Sequence, residues 1–227
     1  MAKNNAQRWG ILVVMIVMVV GTLGSFAVMI LQSRDEQKQQ REYNDAMAKY
    51  QAAQKDYQSK ISAQGDELSK QYYATFSPYA SNVASYPVDS VSTLSTEDLL
   101  VGDGEEITGT TKFAAYYIGW DANGRVFDQS IDTANSKLKP PFSISTGLDT
   151  TSVIEGWKEG IKGMRIGGVR LLTIPSDKAY AEAGSKDASG NENIAPNMPL
   201  KFIVMAIPTP AEIPQPDMSE VIKYLGM

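Results

Sequence analysis

The N-terminal part of the chain contains a hydrophobic run without a charged residue, from Trp9 to Leu31. As a helix that rises about 1.5 Å per residue, this run would be about 34 Å long, enough to cross a hydrocarbon core of about 30 Å. We therefore expect residues 1–32 to form an uncleaved transmembrane signal anchor that contacts the lipid bilayer through residues 9–31. A cleaved signal peptide, with a cleavage site near Ser25–Ala27, and a buried helix of a soluble protein are the alternatives.

Basic residues flank the hydrophobic run on both sides, so the positive-inside rule does not fix its orientation. Lys3 and Arg8 precede the run, whereas Arg34, Lys38 and Arg41 follow it. The short basic N-terminus and the large hydrophilic part that follows favour an N-terminus inside and a C-terminus outside. We therefore expect a single-pass protein of the cell membrane, with its C-terminal domain on the extracytoplasmic side.

Residues 33–75 are polar, lack proline and carry apolar side chains at helical spacing. Steps of four, three and seven separate these apolar positions, which are Tyr43, Met47, Tyr50, Tyr57, Ile61 and Leu68. The spacing predicts a helical stalk with one apolar face, which Gln54 and Gln64 interrupt and Gly65 weakens. Two interpretations remain open: a weak coiled coil, which would make the protein a homodimer through the stalk, and a single solvated stalk that lies against its own domain.

Helical periodicity stops after residue 75, where prolines and small polar residues accumulate. Pro78 and Pro87 lie in a segment rich in Ser, Thr and Asn, so residues 76–96 are predicted to be a linker. At the other end of the chain, residues 208–227 combine four prolines with Val221 and Ile222 on the apolar edge of a predicted short helix. We expect this Pro-rich tail to dock on its parent domain rather than to recruit a partner.

Between the linker and the tail, in residues 97–207, the hydrophobic pattern changes to that of β-strands. Apolar residues fill both alternating registers of Phe113–Ile118, and an Asp121–Gly124 turn follows. Further strands are predicted at Val126–Phe127, Val169–Ile174 and Leu200–Ile207. One short amphipathic helix is predicted at Val153–Ile161, because positions 153, 154, 157 and 161 share an apolar stripe. This order of elements predicts an α+β fold in which an antiparallel sheet wraps around one short helix.

Composition removes many classes of chemistry from consideration. The chain has no cysteine and no histidine, which excludes disulfides, thiolate nucleophiles and Cys-anchored zinc and removes the usual general base. The formal net charge of -5 gives no basic surface for nucleic acid. Asp121, Asn123, Asp128 and Asp132 do not fit a calcium loop, because Arg125 stands at the fifth position, so we expect no metal and no cofactor. What remains is chemistry by carboxylates, hydroxyls and backbone amides, or by the shape and dryness of a pocket.

Three aromatic residues of the C-terminal domain are predicted to converge. Tyr117 and Phe202 lie in the inward registers of their strands, and Trp157 lies on the apolar face of the short helix. Such a cluster either fills a core or lines an apolar pocket with few polar groups. Sequence spacing leaves both interpretations open.

A run of motifs gives this domain a recognisable family pattern. The segment Val153–Met164, followed by Gly167–Arg170 and Ile174–Pro175, resembles the central signature of FKBP-type peptidyl-prolyl cis-trans isomerases. Further matches occur in the family's order at Asp98–Gly104, Tyr117–Gly119, Gly124–Ser130, Pro141–Ile144, Ala179–Tyr180, Ile194–Asn197 and Leu200–Phe202. The resemblance extends from about Glu97 to Ile207, and it implies an FKBP-like fold.

The resemblance also implies a proline pocket with Trp157 as its floor and with Asp128 and Tyr180 as its polar rim. The residues implied to be catalytic are Tyr117, Phe127, Asp128, Ile154, Trp157, Tyr180 and Phe202. Those implied to contact the substrate are Phe142, Val153 and Ile194. In the family, the backbone N–H at the position of Ile154 and the hydroxyl at that of Tyr180 meet substrate carbonyls.

By this resemblance the chain is expected to be a peptidyl-prolyl cis-trans isomerase that assists the folding of exported or surface proteins. Its substrates would be proline-containing polypeptides, and a macrolide inhibitor would be a further ligand. The amide barrier of about 18–20 kcal/mol would be lowered by non-covalent twisting of the X-Pro bond in an apolar aromatic pocket. The alternative is a non-catalytic peptide-binding or holdase chaperone module on a membrane stalk.

Several positions depart from the family pattern. Tyr116 stands where the family often has His, Ile118 replaces Thr, and Ala181 follows Tyr180 where Gly is usual. We expect these changes to touch the edge of the pocket more than the pocket itself. The loop from Ala181 to Asn193 is longer and more polar than in the simplest members, which would change the peptides that fit.

Overall fold

The computed structural model describes residues 34–223, which form two compact units. The first unit combines residues 34–61 with residues 213–223, and the second unit comprises residues 62–212. The predicted membrane span at residues 9–31 lies outside the described residues. Within residues 34–223, no helix has both the length and the apolar character needed to cross a bilayer.

The described residues begin with a long helix, α1, which spans Arg34–Phe76. These bounds are close to the 33–75 expected for the stalk. The segment is rich in Ala, Gln, Lys and Glu, which favour helix, and it contains no proline. Pro78 follows within a 3₁₀ turn at Ser77–Asn82, since proline cannot continue the α-helical hydrogen bonding.

Ten strands occur among residues 34–223. They are β1 (Ser95–Leu100), β2 (Phe113–Asp121), β3 (Val126–Gln129), β4 (Ile131–Asp132), β5 (Lys137–Leu138), β6 (Phe142–Ile144), β7 (Val169–Ile174), β8 (Ser185–Lys186), β9 (Glu192–Ile194) and β10 (Leu200–Ile207). The main antiparallel sheet has the order β1-β7-β10-β2-β3, and β6 also pairs with β2. The pairs β4–β5 and β8–β9 form two small separate sheets.

A short helix, α2 (Glu155–Ile161), packs against the main sheet. Glycines bring the helix close to β7: a Cβ atom at Gly156 would lie 2.3 Å from Cγ2 of Ile174, and one at Gly160 would lie 2.9 Å from Cδ2 of Leu172. Trp157 and Ile161 are buried on the same side. An antiparallel sheet with one short helix confirms the predicted α+β fold.

The buried side chain of Arg170 joins α2 to the sheet through hydrogen bonds. Its Nη1 donates to the carbonyl oxygens of Gly160 and Lys162 at 3.0 and 3.1 Å, at the C-terminal end of the helix. Its Nε and Nη2 donate to the Asp98 carboxylate on β1, at 2.6 and 3.1 Å. Helix ends leave carbonyls without partners, so this arginine satisfies two of them and joins three elements.

Both faces of strand β2 are buried. Phe113 and Ala115 face the cluster that contains α2, whereas Tyr116, Ile118 and Trp120 face a second hydrophobic cluster on the other side of the sheet. All five are at most 1 % exposed. This double burial explains why apolar residues fill both alternating registers in the sequence.

The last turns of α1, from residue 62 to Phe76, cover the second face of the sheet. The Tyr72 and Phe76 rings lie 6.1 and 6.2 Å from the Tyr116 ring. The backbone N–H of Leu138 donates to Oγ of Ser69 at 2.8 Å, and Ser69 is itself buried. This part of the predicted stalk is therefore an integral part of the second unit.

The predicted linker also packs on this face. The indole N–H of Trp120 donates to the carbonyl of Ala84 at 3.1 Å, and Tyr86 donates through its hydroxyl to the carbonyl of Pro199 at 2.9 Å. A second 3₁₀ turn, Val88–Ser90, leads to β1. The prolines correctly indicated irregular backbone, but the segment's tyrosines and its buried contacts make it part of the domain.

In the first unit, a final short helix, α3 (Ser219–Ile222), packs on α1. Val221, which is 2 % exposed, forms a hydrophobic cluster with Met47 and Tyr50. Tyr43 and Met218 pack at its edge. Within this unit α3 lies on the apolar face of α1, at Tyr43, Met47 and Tyr50, which are three of the six proposed coiled-coil positions. Docking of the tail on its parent domain stays a prediction.

Two Gly→Ala changes should have opposite effects on stability. Gly156→Ala should destabilise the protein by about 1–3 kcal/mol, because the added methyl meets the buried Ile174 side chain. Gly65→Ala should stabilise it by about 0.5–1 kcal/mol, because Gly65 lies within α1 with nothing within 4 Å of its added Cβ. Urea unfolding of the full chain measures both. Equal tolerance of the two changes would contradict the close approach of α2 to β7.

Candidate active site

Five aromatic side chains meet on the α2 side of the sheet, and we call them the aromatic pocket: Tyr117, Phe127, Phe142, Trp157 and Phe202. The rings of Tyr117, Phe142 and Phe202 lie 5.5, 6.0 and 5.5 Å from the Trp157 ring, at interplanar angles of 81°, 89° and 85°. Edge-to-face contacts of this kind are favourable for aromatic pairs. The indole therefore forms a floor, and three rings stand almost perpendicular to it as walls.

A glycine on β2 makes room for two of these rings. Gly119 pairs with Phe202 of β10, and a Cβ atom at Gly119 would lie 2.6 Å from Cε1 of Phe202 and 2.7 Å from Cζ of Phe127. The two phenyl rings meet there at 5.5 Å and 80°. Sequence reasoning did not assign Gly119 to the site, although a glycine inside an alternating strand is a signal for close approach.

Phe127 reaches the pocket because of an irregularity in the sheet. Gly119 pairs with Asp128 and Trp120 pairs with Val126, so Phe127 is an extra residue between the two pairs. Such a bulge re-aims a side chain and often lies beside a functional site. Val126 remains exposed, whereas the Phe127 ring turns to Phe202.

The polar rim consists of Tyr117, Asp128 and Tyr180. The Tyr117 hydroxyl donates to Oδ2 of Asp128 at 2.5 Å. Burial raises the pKa of the Tyr117 hydroxyl well above its usual range, and the neighbouring Asp128 charge raises it further. The same two causes, burial first, raise the pKa of Tyr180. Both hydroxyls therefore stay protonated at neutral pH and act as hydrogen-bond donors.

Two donors at the rim are available to a ligand. In the described part of the chain, neither the Tyr180 hydroxyl nor the backbone N–H of Ile154 donates to a protein acceptor. Ile154 precedes α2 in an extended conformation, and its carbonyl accepts from the N–H of Trp157 at 3.0 Å. Its own N–H is thus free next to the residue that forms the floor.

All ten residues predicted for the site lie together in the structure. Nine belong to one hydrophobic cluster: Tyr117, Phe127, Phe142, Val153, Ile154, Trp157, Tyr180, Ile194 and Phe202. Asp128 joins them through its hydrogen bond with Tyr117. Ile194 is 1 % exposed, so it supports the wall from within, whereas Val153 and Ile154 are half-buried and accessible.

Two of the substituted positions lie away from the pocket lining, and the third directly follows Tyr180 of the rim. Tyr116 and Ile118 face the opposite side of the sheet and are fully buried there. Ala181 has φ 48°, in the left-handed region where a non-glycine residue costs about 1–2 kcal/mol. Its carbonyl accepts from the N–H of Asn197 at 2.7 Å, which holds this strained turn in place.

The acidic residues near the β2–β3 turn are engaged with protein donors. Oδ1 of Asp121 accepts from the backbone N–H groups of Asn123 and Arg125, at 2.9 and 3.1 Å. Oδ2 of Asp121 pairs with Nε of Arg125 at 3.0 Å. Among residues 34–223, no group of three or more carboxylates is placed to hold a metal ion.

Comparison with known proteins gives matches over this same region. The family model of the FKBP-type peptidyl-prolyl cis-trans isomerases matches residues 104–207. An FK506-binding protein of Neisseria meningitidis serogroup A is 40 % identical over 89 residues, which cover 39 % of this chain and 75 % of the relative. FK506-binding protein 4 of Dictyostelium discoideum is 38 % identical over 122 residues, or 52 % of this chain, which spans only 30 % of that relative's length.

A solved structure is similar as well. The crystal structure of a peptidyl-prolyl cis-trans isomerase from Pseudomonas syringae is 25 % identical to this chain, with a TM-score of 0.42. The similarity covers 63 % of this chain and 96 % of that one.

The adjacent tyrosines of β2 should respond oppositely to loss of their hydroxyl groups. Tyr116→Phe should stabilise the protein by about 1 kcal/mol, because its buried hydroxyl has no partner among the described residues. Tyr117→Phe should destabilise it by a similar amount, because it removes the donor to Asp128. Urea unfolding at neutral pH measures both changes. Stabilisation by both, or by neither, would contradict the assignment of the two faces.

The difference in unfolding free energy between Tyr116→Phe and the native chain should depend on pH in alkali. Burial raises the pKa of Tyr116 to about 12, whereas a tyrosine in an unfolded chain has a pKa of about 10. The stability that this group contributes is complete below about pH 10 and is lost as the pH rises towards 12. The advantage of Tyr116→Phe over the native chain should therefore grow above about pH 10. A constant difference across that range would contradict the burial of Tyr116.

Proposed function

Because this chain belongs to the FKBP-type peptidyl-prolyl cis-trans isomerase family, we propose that the aromatic pocket isomerises X-Pro bonds of polypeptide substrates. Family membership confirms the predicted enzyme class. The observation that carries the assignment of the site is the indole floor of Trp157 with three nearly perpendicular rings around it. A pocket of this shape accepts a compact apolar ring, such as the pyrrolidine ring of proline.

The chemistry requires no proton transfer and no covalent intermediate. The barrier of about 18–20 kcal/mol arises from amide resonance, which gives the planar bond more charge separation than the twisted one. A pocket that excludes water therefore disfavours the planar amide relative to the twisted transition state. A protein without cysteine or histidine can perform this reaction with the groups it has.

The rim donors hold the peptide while its amide rotates. The free N–H of Ile154 and the hydroxyl of Tyr180 are proposed to donate to substrate carbonyls on either side of the proline. Donors that fit the twisted geometry better than the planar one contribute to rate rather than to binding alone. The raised pKa of Tyr180 keeps this donor protonated above neutral pH.

The proposed role extends to folding and to location. We propose that the run from Trp9 to Leu31 anchors the chain in the cell membrane, with the isomerase domain on the extracytoplasmic side. Slow X-Pro isomerisation limits folding on the scale of about 10–100 s, so an enzyme at this location would assist exported or surface proteins. Protease digestion of intact cells tests the topology: loss of the domain supports it, and protection of the domain contradicts it.

One further ligand is proposed from the family, and one oligomeric state is proposed from the apolar spacing of the stalk. The names of the relatives motivate the proposal that a macrolide of the FK506 class binds the aromatic pocket as an inhibitor. A homodimer through α1 stays a prediction. In the first unit, Val221 and Met218 already pack against Met47 and Tyr50, which reduces the apolar face available to a second copy.

Isomerase activity is tested with the full chain and a Pro-containing peptide. The native chain should accelerate cis–trans exchange, measured by NMR exchange spectroscopy. Tyr180→Phe should reduce kcat/KM about tenfold, since it removes one hydrogen bond that is worth about 1.4 kcal/mol in the transition state. Tyr73→Phe is the matched control, because Tyr73 belongs to the cluster on the opposite face of the sheet. Peptide binding without acceleration would replace this proposal with the non-catalytic holdase.

A further inference from the structure

A hairpin borders the aromatic pocket at both of its ends. The chain leaves the pocket at Tyr180, forms β8 and β9, and returns at Ile194. Strand pairing joins Ser185 to Ile194 and Lys186 to Glu192, with a bulge between the two pairs. Because Tyr180 and Ile194 both belong to the pocket cluster, the position of this hairpin determines the shape of one side of the site.

The hairpin is tied at its base by backbone contacts. The N–H of Gly184 donates to the carbonyl of Tyr180 at 3.2 Å, and the N–H of Asn197 donates to the carbonyl of Ala181 at 2.7 Å. A Cβ atom at Gly184, where φ is 58°, would lie 2.4 Å from the carbonyl oxygen of Ile194. The two ends of the hairpin are therefore in close contact.

Beyond this base the hairpin is almost entirely exposed and makes mainly internal hydrogen bonds. The Asp187 carboxylate accepts from Ser189 and Asn191 within the same turn. Among the described residues, one side chain from elsewhere in the chain donates a hydrogen bond to it: Nη2 of Arg125 donates to the carbonyl oxygen of Asn193. Asn193 directly precedes Ile194 of the pocket wall.

Arg125 is itself held by a buried carboxylate. Its Nε pairs with Oδ2 of Asp121 at 3.0 Å, and Asp121 is 3 % exposed. The backbone of the β2–β3 turn orients the same carboxylate, because Asn123 and Arg125 donate to its Oδ1. A guanidinium group has several donors in a fixed planar arrangement, so a pairing at one edge orients the other edge. The guanidinium therefore connects a rigid turn to the hairpin.

We propose that Arg125 is a positioning residue of the isomerase site, which holds Asn193 and thereby keeps Ile194 and the β8–β9 hairpin against the aromatic pocket. This inference rests on the proposed function. Arg125 does not touch the reacting amide, and about half of its side chain is exposed. Its contribution is to order the hairpin before the substrate arrives.

The expected effect falls on substrate binding rather than on rotation of the bond. Without the tie from Arg125, the hairpin samples more conformations, and the substrate must order it on binding. The two groups proposed to donate to substrate carbonyls, at Ile154 and Tyr180, lie outside the strands of the hairpin. The backbone bonds that hold the base of the hairpin at Tyr180 and Ala181 do not involve Arg125, so these groups should remain in place. Loss of the tie should therefore raise KM and leave kcat nearly unchanged.

Three variants of the full chain test this proposal. Arg125→Met keeps the aliphatic stem and removes every donor, and Arg125→Lys keeps the charge but cannot reproduce the fork that joins Asp121 to Asn193. Arg165→Met is the matched control, because Arg165 is exposed and, among the described residues, no hydrogen bond or ion pair joins it to the hairpin. Each variant is measured for kcat, for KM with a Pro peptide, and for amide hydrogen exchange of residues 185–194.

Both Arg125 variants should raise KM about three- to tenfold with kcat changed less than about twofold, which is the effect of one lost hydrogen bond. Hydrogen exchange of residues 185–194 should become faster in both, while Arg165→Met should match the native chain. An unchanged KM, a native-like Arg125→Lys variant, or a loss confined to kcat would overturn the proposal.

Peptide affinity separates this inference from the proposed function. The dissociation constant of the same peptide can be measured by NMR titration whether or not the protein turns it over. A native chain that binds without isomerising would end the proposed function, yet weaker binding in both Arg125 variants would still support the positioning role. If the native chain isomerises the peptide but all variants bind it with equal affinity, the proposed function is supported and the positioning role of Arg125 is overturned.

Discussion

Strand β2 carries alternate side chains into two hydrophobic layers, and the aromatic pocket depends on this double burial. Tyr116, Ile118 and Trp120 are packed on one side, so Tyr117 and Gly119 are fixed on the other. A shift of one residue would exchange the two faces of the strand and place every one of these side chains in the wrong layer. The packing of the face opposite to α2 therefore specifies the register of β2, and the aromatic pocket on the α2 side requires that register.

The remaining features of the site follow from this fixed strand. Gly119 leaves the space in which the rings of Phe127 and Phe202 meet. Gly156 and Gly160 let α2 approach β7 closely, which brings the Trp157 ring into contact with the Phe202 ring. The resulting pocket contains apolar rings and a few protonated donors. Such a site suits a reaction whose barrier is amide resonance, since shape and exclusion of water are then sufficient.

The sequence predicted the α2 side of the sheet, which carries the aromatic pocket, better than the opposite face, which α1 covers. The residues of the pocket stand in ordered motifs, so Tyr117, Trp157 and Phe202 could be assigned before any geometry was known. For α1 the sequence left two interpretations open, because a stripe at near-heptad spacing is as typical of a coiled coil as of a helix that lies against its own domain. The contacts that decide for residues 62–76, those of Tyr72 and Phe76, become meaningful only beside Tyr116. Gly119 and the bulge at Phe127 depend on contacts between distant strands, which local patterns do not contain.

The most direct test of this account is to locate a bound proline within the full chain. Intermolecular NOEs between an isotope-labelled Pro peptide and the protein report which side chains the pyrrolidine ring contacts. The account predicts NOEs from the proline ring to the indole of Trp157 and to the rings of Tyr117 and Phe202. NOEs to another surface, with none to Trp157, would show that the aromatic pocket is only part of the hydrophobic core.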